Sequence, residues 1–128
     1  MQHDEFIGLV QQRARLDSRG AAEAVTRATL ETLAERLADG LPGNLGAQLP
    51  PEIGRHLDQD RTERFELKEF WQRVADRTTP GVDVPAAAFQ SRAVMSVVDE
   101  AVTGDQLERV KDQLTDDWAD LFDFSFVE

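Results

Sequence analysis

The chain has 128 residues and a mass of 14.3 kDa, one domain's worth of polypeptide, with 41% hydrophobic residues and a net charge of −11. Surface scaling gives about 6,800 Å² folded against about 20,700 Å² unfolded, so about two thirds of the surface is buried and a real core is expected. The absence of cysteine excludes disulfides, thiolate metal sites and thiol catalysis, and 25 acidic against 14 basic side chains leave no positive footprint for nucleic acid or an anionic membrane.

In chain order, residues 3–14 carry Phe6, Leu9 and Val10 at helical spacing, with Asp4 and Glu5 favourably placed in the first turn. Gly20 opens a long helix to about residue 38, rich in Ala, Leu, Glu and Arg and ended by Asp39-Gly40. Pro42 starts a short helix that stops before Pro50, and Pro51 starts another through Leu57. A polar segment, 58–66, follows as a linker. The same order then returns: helices over 67–77, 85–102, 106–114 and, after Thr115 as N-cap, 116–122. Thr103 and Gln106 have capping-box spacing. No stretch alternates with period two for long enough to form a sheet, so the fold class is all-α. The residues after 122 form an aromatic tail, 123–128. No apolar run approaches a membrane span and no leader or lipidation pattern is seen, so a soluble, cytoplasmic protein is expected.

The second run of helices is the first written again. At an offset of 64, Glu5, Phe6 and Val10 fall on Glu69, Phe70 and Val74; one extra residue in the Pro80–Val84 loop makes the offset 65. Arg27, Ala28, Glu35, Gln48 and Leu49 then fall on Arg92, Ala93, Glu100, Gln113 and Leu114, with Leu30, Leu33 and Leu37 on Met95, Val98 and Val102. Repeat 1 spans about 3–57 and repeat 2 about 67–122 within a single domain, 1–128. Two copies are too few for an open solenoid, so they are expected to pack about a pseudo-twofold axis as a compact bundle. Ile7 and Ile53 fall on Trp71 and Trp118, so the two halves cannot pack identically, and both Trp are expected to anchor the second half's core.

The EF opening of each copy, the R-A pair in each long helix and the Q-L-P turn before a short helix resemble the family catalogued as domain of unknown function 2267. The likeness covers nearly the whole chain and is most specific in ATLETLAERLADG and NLGAQLPPEI, although Thr115 stands where the first copy has Pro50. The resemblance implies a small all-helical soluble protein of two related halves. It implies no activity, cofactor or catalytic residue.

Candidate sites therefore come from the residues alone. The repetition of Glu5 with Arg27, and of Glu69 with Arg92, predicts one structural ion pair in each half, which fixes register more than it stabilises. Gln48 and Gln113 are expected to bond backbone at the helix–helix turns. Asp58, Asp60 and Glu69 stand at positions 1, 3 and 12 of a calcium-loop count and are the candidate cation ligands, but Glu63 replaces the glycine that the loop's sharp turn needs. Asp116, Asp120 and Asp123 share one side of the last helix and read as a solvated acidic face. His3 and His56, the two imidazoles, belong to no zinc or hydrolase pattern, and His56 is explained by a helix C-terminus, where a cation is welcome. No phosphate-binding or dinucleotide loop and no nucleophile elbow is present.

Phe122, Phe124 and Phe126 crowd the tail, which is expected either to fold over the core or to dock into a partner. The leading expectation is thus a non-enzymatic, cytoplasmic protein-interaction module, working through a protein partner or self-association, with no cofactor. The alternative is a small-ligand or divalent-cation-binding protein that uses the cleft between its halves. Twelve Arg against two Lys, within so acidic a composition, resembles the halophile pattern of surface adaptation.

Overall fold

Two long helices with matching start signals frame the molecule. The computed structural model describes residues 1–59, 61–78 and 81–125. Helix α1 (His3–Arg13) leads to α2 (Arg19–Arg36), where Ser18 Oγ accepts the amide N–H of Ala21 at 3.1 Å. Short helices α3 (Leu41–Gly46) and α4 (Pro51–Gly54) follow, and α4 tightens into a 3₁₀ turn, Arg55–Leu57. Then come α5 (Leu67–Arg77) and α6 (Val84–Ala101), capped by Asp83 Oδ1 on the N–H of Ala86 at 2.9 Å. Helix α7 (Gln106–Asp112) and a closing 3₁₀ helix, Asp116–Phe122, complete the order. Among the described residues there is no strand, and the protein is all-α as expected.

Helices α2 and α6 pack on each other at the centre. Each is flanked by both first helices: α1 lies on α2 and α6, and α5 lies on α6 and α2. The core draws on both halves, with Phe6, Ile7, Leu30 and Leu33 from one and Phe70, Met95, Trp118 and Leu121 from the other, all essentially without solvent exposure. Phe70 sets its ring edge-on to Trp118 at 5.2 Å between centroids. Trp71 is half-buried against the same core. The total exposed surface, 6646 Å², is close to what chain length demands.

Polar side chains brace the halves reciprocally. Gln113 accepts the N–H of Ala38 at 2.8 Å and donates to the carbonyl of Ala38 at 3.0 Å, while Gln48 accepts the N–H of Thr103 at 2.7 Å. Each glutamine thus reaches the residue that leaves the long helix of the other half. Arg13 spans to Glu100 at 2.7 Å and Arg77 to Glu35 at 2.8 Å, again across the halves. The segment after the 3₁₀ turn straps over the end of α2: Glu63 donates its N–H to the carbonyl of Glu35, and the Thr62 hydroxyl donates to that of Leu37.

Three local expectations are corrected. Helix α2 stops at Arg36 rather than 38, because Leu37 turns extended (ψ 153°) and its carbonyl is taken by Thr62. No capping box forms at Thr103; its N–H points to Gln48, and Asp105 is the residue before α7. Thr115 precedes the last helix without capping it, its hydroxyl donating to the Asp117 carboxylate instead.

Candidate functional site

In the first half, the start of α1, the outer face of α2 and the α4 segment enclose a cleft of about 670 Å³. Its floor is apolar, made by Ile7, Ala24 and Ile53. Ile7 and Ile53 are core side chains that also border the cleft, and the small Ala24 lies beside them. The walls are polar. His3, first residue of α1, has Nε2 3.8 Å from Glu23 and Nδ1 3.7 Å from Asp4. One turn along α2, Arg27 Nε donates to Glu31 Oε2 at 3.1 Å, an i, i+4 pair. His56 enters from the 3₁₀ turn, and Glu52 and Arg55 stand exposed on the rim.

Two groups in this wall are out of balance. Thr26 is among the residues lining the cleft; its hydroxyl is fully buried and has no hydrogen-bond partner, an arrangement that costs about 1–3 kcal/mol. Burial holds the His56 imidazole below its ordinary value of 6.5, against the pull of Glu31 and with the help of Arg55, Arg27 and His3. The neutral ring is therefore the favoured form at pH 7, which corrects the expectation of a cation at a helix end: burial outweighs the nearby Glu31 carboxylate.

At the sequence positions 64 or 65 residues further on, the second half carries rings. Trp71 stands for Ile7, Phe89 for Ala24 and Trp118 for Ile53, while Leu67 and Leu121 stand for His3 and His56. There Arg92 lies over the Trp71 ring at 5.3 Å and donates from Nε to the carbonyl of Asp120 at 2.8 Å.

The expected ion pairs are not those formed. Arg27 holds Glu31 rather than Glu5, and Glu69 holds Arg73 rather than Arg92. Helical neighbours at i, i+4 are already in place when the helix forms, so they win over partners that need two helices to meet. The denser network is centred on Arg73, which reaches Glu35 at 3.0 Å as well as Glu63 and Glu69 and lies 4.0 Å over the Phe65 ring. Its hydrogen bonds, the one to Glu63 foremost, hold the guanidinium charge even more firmly than usual.

Of the candidate cation ligands, Glu69 is engaged by Arg73, Asp58 follows the 3₁₀ turn as an exposed residue, and Asp60 lies outside the described residues. Among the described residues no group of three or more His, Asp or Glu is placed to hold a metal ion. Phe122 and Phe124 are half-buried and packed against the core, with Lys111 5.4 Å above the Phe122 ring; Phe126 lies outside the described residues. Asp116, Asp120 and Asp123 are exposed. No described helix is long and apolar enough to cross a membrane.

Fold and cleft together define a small all-helical protein with a polar recess at one end of its first half. The chain belongs to the DUF2267 family, whose model, described as an uncharacterized conserved protein, matches residues 3–121. No match to a curated protein was found.

Proposed function

We propose that this chain is a non-enzymatic, cytoplasmic binding domain, built from two copies of one helical unit, whose first copy has been opened to take a small ligand. Support for the duplication comes from matching element bounds, with α1 on α5 at an offset of 64 and α2, α3 and α4 on α6, α7 and the closing helix at 65. The reciprocal glutamines and the Arg13–Glu100 and Arg77–Glu35 bridges obey the same offsets. The single observation that carries the ligand reading is the cleft itself. Where the second copy has Trp71, Phe89 and Trp118, the first has smaller side chains, and where the second has Leu67 and Leu121 it has imidazoles.

Thermal shift with a library of small metabolites tests this. Stabilising compounds should lose their effect on Ala24→Phe with Ile7→Trp, which rebuild the rings of the second copy; stabilisation that survives both changes would move the ligand elsewhere.

A second reading, docking of a protein beside the tail, is favoured by the Trp118 indole. Its N–H is buried without an acceptor next to a groove bounded by Lys111, Leu114, Ala119 and Phe122. A pull-down comparing the full chain with one ending at Leu121 tests it, a partner lost on truncation being the outcome that supports this surface.

A further inference from the structure

The cleft offers one unpaired charge of each sign beside an apolar floor. Arg27 and Glu31 neutralise each other, and His56 is neutral, so neither pair of walls calls for a net charge. Glu52 and Arg55 differ. They stand three residues apart on one short helical segment, both exposed, and neither forms an ion pair among the described residues, although each lines the cleft. An anion alone would satisfy Arg55 and be repelled by Glu52, Glu31 and Glu23, and an amine alone would meet the converse at Arg55 and Arg27. A molecule with both charges a few ångströms apart satisfies both rim groups at once.

From this juxtaposition of Glu52 and Arg55 with the Ile7–Ala24–Ile53 floor, we infer that the cleft binds a zwitterionic amino-acid-type ligand with an apolar side chain. The inference rests on the small-ligand reading of the same cleft. The carboxylate faces the Arg55 guanidinium, the ammonium faces the Glu52 carboxylate, and the apolar side chain lies on the floor. The imidazoles of His3 and His56 line the walls as hydrogen-bonding groups. No bond is made or broken; the chemistry is recognition. The second copy cannot do the same, since Asp117 and Asp120 replace Glu52 and Arg55 and leave two charges of one sign.

Calorimetric titration of the full chain at pH 7 decides this with three probes of one shape: L-phenylalanine, phenethylamine without the carboxylate, and 3-phenylpropionate without the ammonium. L-Phenylalanine should bind, and each half-molecule should bind at least about tenfold more weakly, equivalent to about 1.4 kcal/mol. Arg55→Gln and Glu52→Gln, both on the exposed rim and checked for unchanged helicity, should each cost a similar factor, and Ala24→Phe should abolish binding. Equal affinity for phenethylamine or for phenylpropionate overturns the zwitterion class and leaves a small-ligand cleft standing. So does a metabolite that stabilises the protein through Ala24-sensitive binding when L-phenylalanine, L-leucine and L-methionine all fail. No binding by any probe, with no stabilising metabolite found, overturns both.

Discussion

A methyl group on Gly54 would sit 2.3 Å from the carbonyl oxygen of Gly46, and one on Gly46 would sit 2.9 Å from that of Gly54. Backbone meets backbone there, so no side chain can swing aside, and Gly54→Ala should lower stability by about 2–3 kcal/mol, read as a drop in the denaturant midpoint. The second half has Lys111 and Ala119 at these places, one more respect in which the halves differ. His56 makes a second prediction at this scale. Its folded pKa lies below the ordinary 6.5, so the unfolded chain takes up the proton first. The stability that the neutral ring contributes is whole above about pH 6.5 and is lost as pH falls below it. His56→Gln should flatten that part of a pH–stability profile, and an unchanged slope in the variant would assign the acid sensitivity to the carboxylates. Asp117 acts at lower pH, held below the usual carboxylate range chiefly by the N–H of Leu67 that it caps at 2.9 Å.

Between elements, the polar struts carry the specificity of assembly. Gln113→Ala removes both hydrogen bonds to Ala38, one from a backbone N–H and one to its carbonyl, and should cost about 2 kcal/mol in chemical denaturation. Glu35, nearly buried and shared by Arg73 and Arg77, should cost about 2 kcal/mol on change to Gln. That is less than the loss of a fully buried pair because Arg77 keeps a third of its side chain in water. Most of the helix order was legible in the sequence, since Pro42, Pro51 and the apolar spacing of Phe6, Leu9 and Val10 are local signals. The partners of Arg27 and Glu69 were legible too, as Glu31 and Arg73 at i, i+4, but the repetition of Glu5 with Arg27 and of Glu69 with Arg92 pointed away from them. That Arg92 reaches the carbonyl of Asp120 was not, because it depends on how the elements cross. The cleft escaped for a related reason: His3 and His56 are distant in sequence and match no motif. A signal did exist in the comparison of the two copies, where Leu67 and Leu121 answer the two histidines and Phe89 answers Ala24. Reading which apolar positions had become polar or small would have drawn the site.

For the whole molecule, a net charge of −11 spread over 6646 Å² of surface sets up self-repulsion that salt relieves. If the acidity is an adaptation to concentrated salt, melting temperature should climb steeply from dilute buffer to molar KCl; a flat profile would assign the charge to a basic partner instead. The exchange of glutamines between halves has a further consequence, for the time course of folding. Gln113 meets Ala38 across 75 residues and Gln48 meets Thr103 across 55, so the exit of α2 is completed by a residue made long after α2 itself. A nascent chain that has emerged only through α4 can form helices but has nothing to close them upon, and loop closure of that length must be met before the contacts stabilise anything. The first half alone should therefore populate fluctuating helix without a cooperative transition, and the cooperative unit forms only once α7 and the Asp116–Phe122 helix are available to close it.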